Sequence, residues 1–127
     1  MRPNFLLLAA VLGLLAVLAG TFGAHGLKGH VEPDLLAIYD TGARYHMYHA
    51  LALFLTALTY ERRRHRAVAA AAWLFVLGIA IFSGSLYALA VTGQRWLGAI
   101  TPIGGVSFMA GWVALAIGAV KSHRSSQ

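Results

Sequence analysis

Long apolar stretches separated by short polar ones dominate this chain. Residues 5–27, 67–91 and 96–120 contain no formally charged residue, and a fourth, shorter apolar stretch covers 45–60. At about 1.5 Å per residue, each long stretch forms a helix that can cross the roughly 30 Å hydrocarbon layer. The pattern predicts an all-α protein, a single transmembrane domain over 1–127 built as a four-transmembrane-helix bundle.

The connection between the first two spans, which is the only long one, has its own pattern. Glu32-Pro33-Asp34 is typical of a helix start, with proline near the first helical position and acids near the positive end of the helix dipole. Apolar residues then follow at helical spacing. We predict a short amphipathic helix in this outer loop, ending or bending around Thr41-Gly42. The alternative is one long helix from Asp34 to Tyr60, and in either case Asp40 and Arg44 are placed to pair.

Composition supports the membrane assignment. The chain is 59% hydrophobic, 11% charged and free of cysteine, with a mean hydropathy of +0.70. Without cysteine there are no disulfides or thiolate ligands. The net charge of +6 does not indicate nucleic acid, because the basic residues flank apolar spans instead of lining a polar face. Nothing in the composition calls for a cofactor.

The distribution of lysine and arginine predicts an orientation. Seven of these residues fall on the side of the two termini, and three on the other side, Lys28, Arg44 and Arg95. The positive-inside rule then predicts a bacterial inner-membrane protein with both termini in the cytoplasm. A cleavable signal peptide ending near Val17-Leu18-Ala19 is the rival interpretation of the first span. The cytoplasmic loop also offers an expected site for anionic lipid headgroups, made by Arg62, Arg63, Arg64 and Arg66.

The second apolar stretch is too short to cross the membrane alone, so polar residues must enter lipid with it. Counting from Tyr60, a helix reaches His49 after about 16 Å and His46 after about 21 Å, still inside the roughly 30 Å layer. The same measure places serine, threonine and tyrosine of the other spans in the outer half. We predict one polar cluster from all four helices, with the inner half mostly apolar: His25, Arg44, Tyr45, His46, His49, Ser83, Ser85, Tyr87 and Thr101.

Small residues recur on two of the predicted spans. Gly104, Gly111 and Gly118 repeat every seven residues on the fourth, and Gly13, Ala16, Gly20 and Ala24 form a small face on the first. Such faces let helix backbones approach closely, which predicts packing sites rather than a ligand groove. Faces left unpaired make a homo-oligomer plausible. Thr101-Pro102 is expected to kink or loosen the start of the fourth helix.

Several chemistries compete with this structural interpretation. His46-x-x-His49 can present two imidazoles on one helix face, but no acid or cysteine completes a metal site within the membrane, so no metal is predicted. A haem bound between His25 and His49 is not predicted, because the two histidines lie at different depths in the bundle. Ser83-Gly84-Ser85 lies within a helix and lacks the strand-turn-helix setting of a catalytic serine. No catalytic residue is therefore predicted.

Four segments together resemble a known family. They are Phe22-Gly23-Ala24-His25-Gly26-Leu27, Tyr45-His46-Met47-Tyr48-His49-Ala50-Leu51-Ala52-Leu53, Phe82-Ser83-Gly84-Ser85-Leu86-Tyr87 and Thr101-Pro102-Ile103-Gly104-Gly105. In this order, and over nearly the whole chain, the sequence resembles the domain of unknown function 423 family of small four-span membrane proteins, with bacterial members and an animal transmembrane relative. The resemblance implies no established biochemical activity. It supports the outer polar cluster as a shared feature.

Two functional hypotheses follow. In the first, the chain is a non-enzymatic inner-membrane protein whose outer cluster binds a lipid or small amphiphile, or docks a larger membrane complex. In the second, it is a small transporter or channel subunit that uses His49 in a polar path. The expected partners are membrane lipids, with no nucleic acid.

Overall fold

The described part of the chain, residues 2–125 of a computed structural model, is helical and contains no strand. Asn4 begins the first helix, because its side chain accepts a hydrogen bond from the backbone N–H of Leu7 at 2.9 Å. Gly93 ends the fourth with a left-handed φ of 73°, which glycine adopts without strain. The helices are α1 (Phe5–Phe22), α2 (Pro33–Arg62), α3 (Arg66–Gly78), α4 (Gly84–Thr92) and α5 (Thr101–Ser125).

Tighter or wider turns extend three of these helices. A π-helical turn, Gly23–Leu27, follows α1, and a second, Ile79–Ser83, joins α3 to α4 in one continuous segment. A 3-10 turn, Arg95–Ala99, precedes α5. Pro102 thus lies in the first turn of α5, where its missing N–H costs no hydrogen bond, and the loosened start expected at Thr101-Pro102 takes the form of this change of helix type.

The second helix corrects one prediction. The separate amphipathic helix in the outer loop is wrong: Pro33–Arg62 is a single 30-residue α-helix, the alternative that the sequence had left open. Gly42 does not break it, because the missing side chain makes room for a neighbour. A Cβ atom there would lie 3.1 Å from the ring of Tyr87 and 3.2 Å from Leu86. The glycine is therefore a packing position.

Among residues 2–125, three helical segments are long and apolar enough to cross a membrane: Phe5–Leu27, Arg66–Thr92 and Arg95–Arg124. The second helix is not among them, since Arg44, His46 and His49 lower the hydropathy of its apolar half. It nevertheless packs against α1 on one side and against α3 and α4 on the other. Large apolar side chains are exposed along the bundle, as lipid contact requires; examples are Leu7, Leu14, Leu51, Leu55, Ile103, Val106, Met109 and Val113.

The core divides along the bundle axis. One apolar cluster joins the start of α1, the end of α2 and the start of α3 through Phe5, Leu53 and Ala72, all buried. At the opposite end, Leu27, Tyr39 and Ala90 form another cluster. A third, around Phe75 and Phe108, packs α3 against α5 between them.

Glycines let α5 pack closely against the α3–α4 segment, as the seven-residue repeat predicted. A Cβ atom on Gly104 would lie 2.3 Å from the backbone nitrogen of Phe82, and one on Gly111 would meet the ring of Phe75 at 2.7 Å. Gly118 meets Val68 in the same way. On α1, by contrast, a Cβ atom on Gly20 would meet nothing within 4 Å. Gly20 therefore does not serve close packing inside the chain, although Ala16 of the same face is buried.

Candidate functional site

The polar residues predicted for the outer half make contacts between α2 and the α3–α4 segment. The imidazole Nδ1 of His46 lies 2.9 Å from the hydroxyl of Tyr87, and both side chains cross between α2 and α4. Ser83, fully buried in the π-helical turn, donates a hydrogen bond of 2.7 Å to the backbone carbonyl of Gly42. π-helical turns interrupt the regular α-helical hydrogen bonds and often occur at functional positions. Here the π-helical turn carries a side chain that forms a hydrogen bond to another helix.

His49 is held on both sides of its ring. Trp112 of α5 donates its indole N–H to Nε2 of His49 at 3.2 Å. An indole nitrogen can only donate, so Nε2 is unprotonated and the proton of the neutral imidazole sits on Nδ1. Nδ1 then donates to the carbonyl of Tyr45 at 2.8 Å. The ring of Phe108 stacks on the imidazole with a centroid separation of 3.5 Å. His49 is thus a neutral, fully engaged side chain.

A third contact joins α4 to α5. The hydroxyls of Ser85 and Thr101 lie 2.6 Å apart, and Ser85 also lies 2.9 Å from the carbonyl of Phe82. Since Ser85 bonds that carbonyl only as a donor, Thr101 donates to Ser85. This pair fixes the 3-10 turn and the start of α5 against α4.

The structure does not bring every predicted residue into these contacts. His25 is exposed on the π-helical turn after α1, and Arg44 is exposed on α2. Tyr45 is 41% exposed and packs its ring against Phe82. In place of a polar side chain, α1 contributes a backbone carbonyl, Ala19, which accepts a 2.6 Å hydrogen bond from Tyr39. The contacts therefore come from three of the four helical segments and one carbonyl of α1.

Some of the residues in this network were missed by sequence reasoning. Trp112 and Phe108 complete the surroundings of His49, and Ser107 donates to the carbonyl of Leu74 on α3 at 2.7 Å. Ser107 and Phe108 lie three and four positions from Gly104 and Gly111, so the glycine repeat was an available signal for these two. Trp112 directly follows Gly111, and the repeat does not indicate it.

One polar atom stays unmatched in this region. Nε2 of His46 is buried and has no hydrogen-bond partner among the described residues. His46 is 5% exposed, so solvent does not supply the missing partner from outside.

A groove opens beside this network on the flank of the bundle. It lies between α1 and α2, has a volume of about 420 Å³, and is lined by Ala16, Gly20, Asp40, Ala43, Arg44, Met47 and Tyr48. Asp40 and Arg44 are four residues apart on a continuous helix, yet the expected ion pair between them does not form. An ion pair does form elsewhere at this end, between Arg95 and Asp34 at 2.5 Å. Two opposite charges thus line one groove unpaired.

The arginine-rich end carries its own depression. Arg63, Arg64, His65 and Ser122 line a pocket of about 180 Å³, where the α2–α3 connection covers the last turns of α5. Arg62 lies elsewhere, above Leu55 and Leu58 on α2, and Arg66 is exposed at the start of α3. The predicted headgroup residues are therefore not one surface. Across residues 2–125, no group of three histidine, aspartate or glutamate side chains is placed to hold a metal ion.

Comparison with known proteins agrees with the sequence pattern. Residues 19–105 match a family described as a protein of unknown function, DUF423. The UPF0382 membrane protein YwdK of Bacillus subtilis is 48% identical over 118 residues, 92% of this chain and 96% of the relative. The UPF0382 inner membrane protein YgdD of Escherichia coli is 37% identical over 125 residues, 98% and 95% of the two chains. No solved structure matches. The chain belongs to the DUF423 family of membrane proteins of unknown function.

Proposed function

We propose that this protein is a non-enzymatic, four-span protein of the bacterial inner membrane that binds one zwitterionic phospholipid in the groove between α1 and α2. The carrying observation is that Arg44 and Asp40 line this groove without pairing to each other. A phosphate suits the guanidinium and an ammonium group suits the carboxylate. A headgroup that carries both, such as phosphoethanolamine, complements the pair.

The shape of the groove supports the same occupant. Ala16 and Gly20 leave its α1 wall without bulky side chains, and Met47 adds a flexible apolar surface. Tyr48 is 55% exposed beside them, and its ring suits the boundary between headgroups and acyl chains. A volume of about 420 Å³ accommodates a headgroup and the first part of a chain.

The polar network behind the groove has a structural role in this proposal. Ser83, Ser85 and His49 each bond to another helix, so they hold α2, which forms one wall of the groove, against α4 and α5. This revises the expectation that the cluster itself holds the ligand. Docking of a larger membrane complex remains compatible with the exposed faces, but no contact in the chain favours it over lipid.

A transporter or channel role has less support. Both nitrogens of His49 are occupied by hydrogen bonds and Phe108 covers its ring, which leaves no free site for a relayed proton. Further along the axis, the cluster around Phe5 and Leu53 is apolar and buried. A polar path would have to pass through this packed end.

Native mass spectrometry tests the lipid proposal. The full chain, purified in mild detergent, is offered phosphatidylethanolamine and phosphatidylglycerol. We expect one retained phosphatidylethanolamine, lost on Arg44→Gln, while Asp40→Asn shifts the preference to phosphatidylglycerol. Lys28→Gln is the matched control, since it removes one exposed charge at the same end outside the groove. Equal retention by Arg44→Gln and wild type would overturn the proposal.

A separate experiment, cysteine labelling, tests the proposed topology of four spans with cytoplasmic termini. Because the chain has no cysteine, single cysteines report accessibility without background. Gln94→Cys, between α4 and α5, should react with a membrane-impermeant maleimide on spheroplasts, and Glu61→Cys, at the end of α2, only after permeabilisation. Labelling of Glu61→Cys from outside would contradict four spans with cytoplasmic termini.

A further inference from the structure

The pocket at the arginine-rich end has a composition that the lipid groove does not explain. It is lined by Arg63, Arg64, His65 and Ser122, so two chain segments far apart in sequence form it. Each of these side chains can donate a hydrogen bond, and none carries a negative charge. We propose that this pocket is a binding site for a phosphate group, carried by an anionic phospholipid or by a free phosphate ester.

His65 presents a donor because of its role in capping. Its Nδ1 accepts the backbone N–H of Ala67 at 3.0 Å, which caps α3. A nitrogen that accepts is unprotonated, so in the neutral ring Nε2 carries the proton and donates. The adjacent start of α3, a helix of 13 residues, adds the positive end of its dipole.

Ser122 supplies an independent observation. Its hydroxyl oxygen is buried and has no hydrogen-bond partner in the described part of the chain. Buried polar atoms are rarely left unmatched, and an unmatched one next to arginines indicates a missing oxygen-rich partner. A phosphate oxygen in the pocket would accept from this hydroxyl.

The two arginines take different roles. Arg63 donates from Nη1 to the carbonyl of Ser122, which ties the α2–α3 connection to the end of α5 and keeps the pocket in shape. The remaining N–H groups of Arg63, and all those of Arg64, have no carboxylate partner within residues 2–125. A guanidinium can bind a phosphate through two parallel hydrogen bonds.

Binding of short-chain dihexanoyl phosphatidic acid to the full chain in detergent tests this site, measured by microscale thermophoresis with inorganic phosphate as competitor. Arg64→Gln should weaken binding about tenfold, the loss of one charge-assisted pair, and Ser122→Ala should weaken it to a lesser extent. Arg62→Gln is the matched control: the same charge change two residues from Arg64, in a separate depression. It should leave the affinity within about twofold.

The outcomes distinguish a free phosphate from a phospholipid as the ligand, and they also show whether the site exists. Displacement by inorganic phosphate assigns binding to the phosphate alone, whereas variant-sensitive binding without displacement assigns it to the phospholipid. Equal weakening by Arg62→Gln and Arg64→Gln would show diffuse charge attraction, and unchanged binding by Arg64→Gln and Ser122→Ala would show no site. Either result overturns the proposal. The groove at Arg44 lies at the other end of the bundle and is judged by its own variants.

Discussion

Trp112 donates its indole N–H to Nε2 of His49, and this one hydrogen bond determines which ring nitrogen of His49 carries the proton. It places the ring proton on Nδ1, where the carbonyl of Tyr45 accepts it. A histidine at membrane depth is by default a candidate for proton transfer. Here the imidazole joins α5 to α2 instead, and its role is to hold two helices together.

Trp112→Phe should therefore destabilise the bundle. The change keeps an aromatic ring but leaves the buried Nε2 of His49 without its donor, and we expect a loss of about 1 kcal/mol in the free energy of unfolding. Thermal or denaturant unfolding in detergent micelles measures it. Trp96→Phe is the control, because Trp96 is 64% exposed. Equal stability of the two variants would mean that the hydrogen bond contributes nothing.

The Ser85–Thr101 pair should show coupling. Because the two hydroxyls bond across α4 and α5, the effects of Ser85→Ala and Thr101→Val should not add. Hydrogen bonds between membrane helices are worth about 0.6 kcal/mol on average, so a coupling of that order is expected from a double-mutant cycle. A control cycle that combines Ser85→Ala with Thr59→Val should show no coupling, since Thr59 bonds within its own helix. Additive losses in the first cycle would contradict the pairing.

Gly104→Ala and Gly105→Ala should differ sharply although they are neighbours. The new methyl group of Gly104→Ala would lie 2.3 Å from the backbone nitrogen of Phe82, and backbone cannot move aside as a flexible side chain can. We expect a loss of about 1–3 kcal/mol, as in overpacked cores. At Gly105 the nearest atom is a ring carbon of Phe82 at 3.9 Å, an ordinary contact. Gly105→Ala should be neutral or stabilising, because alanine favours helix.

The Asp34–Arg95 ion pair predicts a pH dependence outside the membrane. The hydrogen bond from Arg95 holds the pKa of Asp34 below its ordinary value of 3.8. A lowered carboxyl pKa means that the stabilising contribution is present above about pH 4 and is lost as the pH falls through the folded pKa. Arg95→Gln should return the pKa toward 3.8, which carboxyl NMR titration measures.

Salt gives the control for this pair. Both side chains are more than half exposed, 62% for Arg95 and 56% for Asp34, so screening should weaken the interaction. At about 1 M salt the pKa of Asp34 in the wild-type chain should approach that of Arg95→Gln. A lowered pKa that persists in Arg95→Gln would mean that another group causes it.

The sequence by itself determined the all-helical class, three apolar segments able to cross a membrane, and the close face of α5. Hydropathy and glycine spacing are properties of each helix alone, so they can be recognised without its neighbours. The same holds for the candidate polar positions: counting residues along a helix was enough to single out His46, His49, Ser83 and Ser85. Even the long second helix was one of two structures that the sequence allowed.

Only the tertiary structure decided which polar groups meet. Hydrogen-bond partners depend on the rotation of each helix about its axis, and a period of 3.6 residues does not fix that rotation relative to a neighbour. Trp112 therefore became the partner of His49, while His25 turned outward and Asp40 and Arg44 stayed unpaired across a groove. The π-helical turn before α4 likewise meets two neighbours that its own sequence does not name: Ser83 bonds Gly42 of α2, and Phe82 lies against Gly104 of α5.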